Sequence, residues 1–228
     1  MMNNIFSEYG RKARLFPALL SSFPFIVIKH FAIDPYVGSS TIGQLFSGIA
    51  GDVTIGIVLI YLLSQINRLV SKIFFENKTK FPSTIMLLPS NTSFSMNYRK
   101  KLEEKISTDF QLAVPTLSDE NSDFGNTQIR IQEIVSLIIN KVGKGKLLLQ
   151  HNIEYGFMRN LIGGAVVSLI ISIISMNMFH FAIYNKVAFN ISLILSFCYL
   201  LPILFSKIIL SHYSKEYARI LFREYIGL

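Results

Sequence analysis

The chain has 228 residues, a formal net charge of +8, 51% hydrophobic residues and only 16% charged ones, with a mean hydropathy of +0.44. The positive charge does not by itself indicate nucleic acid, since a membrane protein facing anionic lipid collects such charge anyway. Cys198 is the single cysteine, which excludes an internal disulfide.

The first apolar run covers residues 15–28 and follows Arg11, Lys12 and Arg14. It carries Pro17 and Pro24 and is shorter than the roughly 20 residues a spanning helix needs. Extension through Phe31, Ala32 and Ile33, with Lys29 snorkelling to the interface, makes it long enough. Basic residues ahead of an apolar core also fit a signal peptide. No small-x-small cleavage site follows, and Lys29-His30-Phe31 stands where one belongs, so an uncleaved helix is favoured. The second run, residues 42–63, is long enough to span. It holds two rows of small residues four apart, Gly43, Ser47, Gly51 and Gly48, Asp52, Gly56. Such rows let helix backbones approach closely in lipid, within one chain or between copies. Asp52 costs roughly 2.5–3.5 kcal/mol at the centre of a span and must face protein or water. It is read either as a pore-lining or gating carboxylate or as a paired structural one, bonded to Thr54, Asn177 or a serine.

A polar middle region, residues 70–157, separates this hairpin from the next and has the size of a small cap. Residues 81–89, an apolar stretch fenced by Pro82 and Pro89, read as a short strand or extended segment. Residues 98–106 are a charged helix, and residues 116–126, acidic and rich in turn formers, a loop. Ile131, Ile134, Val135, Ile138 and Val142 make one apolar helical stripe that Gly143 and Gly145 end. The region reads as mainly helical with one or two strands.

Residues 161–183 and 189–210 form the second apolar pair, with Gly164, Ser168 and Ser172 as a third small-residue row. Ser192 and Ser196 repeat the spacing more weakly. The tail, residues 211–228, is a basic amphipathic helix that either lies along the membrane face or continues the fourth span into the cap. The fold class is thus an α-helical integral membrane protein: two transmembrane hairpins, hence four spans, with a cytoplasmic, mainly helical middle domain. The segments are residues 1–69, 70–157, 158–210 and 211–228.

Chemistry-bearing motifs are sparse. Gly143-Lys144-Gly145-Lys146 lacks the spacing of a phosphate loop. His30, His151, His180 and His212 are scattered, without metal-ligand spacing. The expectation is a non-enzyme with no catalytic residue, metal, cofactor or small-molecule substrate, whose partner is the lipid bilayer. Lys144, Lys146, Arg159, Lys215, Arg219 and Arg223 are candidates for contact with lipid headgroups or a partner protein.

Three segments carry a resemblance: Tyr9-Gly10-Arg11-Lys12-Ala13-Arg14-Leu15-Phe16-Pro17, Phe81-Pro82-Ser83-Thr84 and Asn152-Ile153-Glu154-Tyr155-Gly156-Phe157-Met158-Arg159-Asn160-Leu161. They resemble small bacterial membrane proteins of anti-phage defence loci, most closely the membrane effector paired with a retron reverse transcriptase. The resemblance implies an inner-membrane protein of abortive infection. Its partner, a reverse transcriptase with its RNA–DNA product, holds it inactive until infection, when it damages the membrane. A transporter or channel subunit and an anchor or scaffold for a soluble enzyme are the alternatives.

Of the 22 Lys and Arg residues, only Lys29 and Lys186 lie near the short loops 31–41 and 184–188. Positive residues stay cytoplasmic, which places both termini and the middle region in the cytoplasm. Topology reporters fused at Gly38 and Lys186 are expected to read as external, and those at Lys101 and Leu228 as cytoplasmic. An external signal at Lys101 would overturn this orientation.

Overall fold

The computed structural model describes residues 7–37, 49–75, 81–143 and 145–228, and no strand occurs among them. Four of the helices are long and apolar enough to cross a membrane: Glu8–Ile33, Gly51–Phe75, Leu147–Phe181 and Lys186–Leu204. The chain divides into two compact units. The first comprises Met1–Glu76 and Gly156–Ile209, the second Asn77–Tyr155 and Leu210–Leu228.

The first unit opens with α1, Glu8–Ile33. Ser7 Oγ accepts from the Gly10 amide at 3.1 Å and starts it. It is not a regular rod. A wide, π-type turn at Arg11–Leu15 precedes Pro17, and a second occupies Lys29–Ile33. Between them the helix tightens at Ser22, whose amide donates to Leu19 O at 3.1 Å. Pro24 follows, and the ladder resumes as Phe25 donates to Ser22 O at 3.0 Å. Such irregularities are what proline imposes on a helix interior.

Helix α2, Ile49–Phe75, leaves most of its side chains exposed within the chain. Its buried positions are Leu63, Ser64, Asn67 and Ser71, one helical stripe of mainly polar residues. The helices α3 (Pro82–Leu87), α4 (Met96–Phe110), α5 (Leu117–Ser122) and α6 (Phe124–Val142) belong to the second unit, and α7, Lys146–Phe181, and α8, Lys186–Leu204, supply the remaining long apolar helices. Helix α8 carries Pro202 and ends at Leu204; α9, Ser206–Gly227, then begins after a break at Phe205. The fourth apolar run, expected to continue to residue 210, is therefore interrupted where proline removes a ladder hydrogen bond.

The second unit contains α3 (Pro82–Leu87), α4 (Met96–Phe110), α5 (Leu117–Ser122) and α6 (Phe124–Val142). The expected extended segment at 81–89 is a helix. Pro82 sits at its first turn behind an extended Phe81, and Leu88, preceding Pro89, returns to extended backbone. Both prolines thus act as helix punctuation rather than as strand breakers. The expected loop at 116–126 likewise holds α5. Thr116 and Asp119 form a reciprocal capping box, and Asp123 then caps α6 through the Asn126 amide at 2.9 Å. Turn-forming residues served here as caps, the other use of the same side chains. The strands expected in this region are absent among the described residues.

The apolar stripe of α6 (Ile131, Ile134, Val135, Ile138 and Val142) is buried against Leu87, Leu102 and Ile106. Gly143, at φ +66°, closes the helix in a conformation that favours glycine. The tail joins the same core through Ala218, Leu221, Phe222 and Tyr225. Buried Glu120 accepts from the Ser90 amide at 2.8 Å and its hydroxyl at 2.6 Å, fastening the turn after α3. Asp109 receives Lys141 Nζ at 2.6 Å and Tyr225 Oη at 2.9 Å.

The Lys141 ammonium holds the Asp109 carboxyl below its ordinary value, outweighing the opposing effect of burial, and the Tyr225 hydroxyl adds to the lowering. A depressed carboxylate contributes stability that is present above its unfolded value, about 4, and is lost as pH falls through the folded one. Thermal melts of the detergent-solubilised protein at pH 7 and pH 3 are expected to differ less for Asp109→Asn than for the parent. An equal acid loss in both would remove Asp109 from the acid sensitivity of this unit.

Candidate functional site: a polar seam among the apolar helices

The first unit is held together by polar side chains. Pro17 has no amide hydrogen to aim at Ala13 O four residues earlier, and Asn160 Nδ2 of α7 donates to that carbonyl at 2.6 Å. Pro24 deprives Leu20 O in the same way, and Tyr199 Oη of α8 donates to it at 2.5 Å. The tightening at Ser22 turns the Phe25 amide to Ser22 O, and Ser21 O receives Ser168 Oγ at 2.9 Å. The carbonyls of Ala13, Leu20 and Ser21 are each matched by a donor from another helix.

Around these bonds runs a continuous polar stripe. On α7 the buried positions Gly156, Asn160, Gly164, Ser168, Ser172 and Ser175 recur at helical spacing. Ser64, Asn67 and Ser71 of α2, Ser21 and Ser22 of α1, and Ser192 of α8 are buried as well. Asn67 Nδ2 donates to Ser21 Oγ at 2.8 Å, and Ser21 Oγ in turn donates to Pro17 O at 2.7 Å. Asn67 Oδ1, Asn160 Oδ1, Ser172 Oγ and Ser192 Oγ are buried without a hydrogen-bond partner among the described residues. An unmatched buried polar atom costs about 1–3 kcal/mol. The seam therefore carries stored polarity beyond what packing needs.

Beyond Ser175 the seam gives way to an apolar cluster of Val27, Phe179 and Ala188, flanked by Phe31, Ile183, Phe189 and Leu195. Phe31 meets Phe179 edge-on at 6.2 Å between ring centroids.

Gly164, Ser168 and Ser172 of the expected third row all lie in the seam. Gly43, Ser47 and Gly48 lie outside the described residues, as does Lys144. Gly51 is half-buried, and a Cβ built on Gly56 meets nothing within 4 Å. Within one chain the close approach lies further along α2: a Cβ on Gly163 would strike Asn67 O, and at Gly164 it would strike Ser21 Oγ and Asn67 Nδ2. The reason is that α2 turns Ser64, Asn67 and Ser71 toward the bundle, while the face carrying Gly56 points outward.

Asp52 stands apart from the seam. It is about half exposed and pairs with Lys29 Nζ at 2.9 Å; the same ammonium lies 2.8 Å from Asp34. Its partner is thus the snorkelling lysine of α1, a pairing that the sequence reading did not name. In the second unit Lys215, Arg219 and Arg223 are exposed along one face of α9, with Arg219 bonded to Glu216 at 2.6 Å. Arg159 is half-buried on α7. Among the described residues no three His, Cys, Asp or Glu side chains gather closely enough to hold a metal ion. Asn67, Asn160, Ser21 and Tyr199 were missed from sequence. The available signal was Pro17 and Pro24, since prolines inside a span demand donors elsewhere.

Gly163→Ala is expected to destabilise the bundle by about 1–3 kcal/mol, because the new methyl group meets backbone atoms that cannot rotate away. Gly56→Ala should change the stability of the monomer by less than about 0.5 kcal/mol. Denaturation in mixed detergent micelles checks both, and a Gly56→Ala loss as large as that of Gly163→Ala would place the tight contact elsewhere.

Comparison with protein-family models, with curated proteins and with solved structures gives no match for this chain.

Proposed function

We propose that the protein is a multi-pass inner-membrane effector of anti-phage defence that acts without catalysis. In this reading a partner, of the kind formed by a reverse transcriptase and its RNA–DNA product, holds the bundle closed. Release lets the helices part and the membrane leak. Both termini and the middle region face the cytoplasm, where the basic face of α9 meets an acidic partner.

The membrane placement draws support from the exposed apolar side chains. Ile57, Ile73, Ile194, Phe197 and Leu204 are each more than half exposed within the chain, a surface that water disfavours and lipid accepts. The observation that carries the functional reading is the polar seam, with Asn67 Oδ1, Ser172 Oγ and Ser192 Oγ left unmatched. A bundle built only for anchorage needs no such atoms in its interior, whereas water entering between parted helices satisfies all of them. In this reading the apolar cluster of Val27, Phe31 and Phe179 is the barrier that keeps the route shut until the helices part.

The test is expression of the chain alone in a bacterium, following growth and membrane potential with a voltage-sensitive dye. Parent protein is expected to depolarise cells, Phe179→Ala to do so sooner, and Asn67→Leu to do so less at equal membrane abundance. Depolarisation unaffected by either substitution would reject the seam as the route. A well-inserted parent that leaves growth and potential unchanged would favour the scaffold alternative.

A further inference from the structure

The buried serines of the seam mostly bond a carbonyl. Ser21 and Ser175 donate to the carbonyl one turn back along their own helix, at 2.7 and 2.9 Å. Ser168 donates to Ser21 O of α1 at 2.9 Å. Ser172 of α7 and Ser192 of α8 do neither. They are 0% and 1% exposed, and each Oγ is buried without a hydrogen-bond partner among the described residues. A serine inside a helix has the carbonyl four residues earlier within reach, so these two hydroxyls turn away from their own helices into the bundle.

Bonds between the helices fix the levels of both serines. Helix α7 runs parallel to α1, since Asn160 meets Ala13 and Ser168 meets Ser21, each pair 147 residues apart. The same offset sets Ser172 level with Phe25, next to buried Pro24, whose ring nitrogen has no hydrogen to donate. Helix α8 returns antiparallel to α7. In the turn that joins them the Asn185 amide donates to Phe179 O at 3.0 Å, and Ala188 packs in one cluster with Phe179. Further along, Tyr199 reaches Leu20 O at 2.5 Å while Ser168 takes Ser21 O beside it. Phe179 with Ala188 and Ser168 with Tyr199 thus mark two levels of one register. On that register Ser172 stands opposite Leu195, three residues from Ser192, an offset of about 4.5 Å along the helix.

We propose that Ser172, Ser175 and Ser192 hold one buried water molecule where the polar seam meets the apolar cluster. The water bridges Ser172 Oγ and Ser192 Oγ. Ser175 is buried too and stands opposite Ser192 on the same register; its Oγ already donates to Ile171 O and accepts a third bond. Two to four polar partners are what keeps a water inside a protein. The ligand is neutral because residues 160–185 and 187–206 contain no Asp, Glu, Lys or Arg, so no charge on either helix balances an ion there. All three serines are at most 1% exposed, which closes the site to a larger solute. The site depends neither on the effector role nor on the orientation of the chain.

The experiment uses the full chain in bilayers of phosphatidylethanolamine and phosphatidylglycerol. Solid-state nuclear magnetic resonance follows magnetisation from water protons to side-chain carbons. Early transfer to Cβ of Ser172 and Ser192 is expected, with late transfer to Phe179. Ser192→Ala is expected to abolish the early transfer to Ser172. Unfolding in mixed micelles gives a second readout. Ser172→Ala and Ser192→Ala should each raise the unfolding constant about fivefold, the contribution of one hydrogen bond. The double variant should raise it no further, because either substitution releases the water. Hydroxyls without a ligand give the opposite sign: alanine then removes an unmatched polar atom, and both variants unfold less readily. That outcome, or late transfer at both serines, overturns the proposal. Coupling without early transfer also overturns it, assigning the pair to a direct serine–serine bond. Early transfer that reaches Phe179 as well overturns both the single site and the apolar barrier of the preceding section, whereas late transfer at the serines overturns the site alone.

Discussion

Pro17 and Pro24 each delete an amide hydrogen from α1, and the carbonyls so released lie against other apolar helices, where only a side-chain donor from a neighbour reaches them. The rest of the first unit is arranged around this constraint. Asn160 takes Ala13 O, Tyr199 takes Leu20 O, and Ser168 takes Ser21 O. To deliver those donors α7 must lie close to α1 along much of its length, which explains Gly156 and Gly164 on the approaching face. Gly163 serves α2 in the same way, where Asn67 and Ser71 crowd against it. Such bonds and close contacts join α1, α2, α7 and α8. A proline-broken helix thus specifies which neighbours it can have.

The same constraint bears on function. A regular apolar helix satisfies itself and leaves the bundle interior free to be greasy. Here the interior is lined with hydroxyl and amide groups, three of which serve carbonyls of α1 while several others are unmatched among the described residues. The apolar cluster around Phe179 lies toward the other end of α1 from Asn160, so the buried side chains differ along the helix: aromatic and aliphatic toward Phe31, hydroxyl and amide toward Ala13. Asp52, which the sequence marks as the costliest residue of its run, sits instead in an ion pair with Lys29 on the outer flank. The same ammonium also pairs with Asp34, so Lys29 and the two carboxylates link α1 to α2.

How much of this was legible in the sequence follows from which interactions are local. The four apolar helices were legible because hydrophobic length is a property of a continuous segment, as was the α6 stripe ending at Gly143. The short helices α3 and α5 were not, since Pro82, Thr116 and Asp123 are as much turn formers as helix caps until the following residues commit. The row of Gly164, Ser168 and Ser172 was visible from spacing alone. Which face of α2 would meet it was not. Two small-residue rows in the apolar part competed with the stripe of Ser64, Asn67 and Ser71 near its end, and only the partner helix decides between them. Asn160 and Tyr199 were illegible for a related reason. Their roles depend on carbonyls 147 and 179 residues away in the chain.

The central claim, that proline-released carbonyls recruit the donors holding this bundle, is tested most directly by a double-mutant cycle between Tyr199 and Pro24. Tyr199→Phe removes only the hydroxyl and strands Leu20 O, a cost of about 1–3 kcal/mol in the parent background. Pro24→Ala restores an amide hydrogen aimed at that carbonyl along the helix. Unfolding of the four proteins in mixed micelles is therefore predicted to show Tyr199→Phe as costly with Pro24 and nearly neutral with alanine there. An equal cost of Tyr199→Phe in both backgrounds would contradict the account.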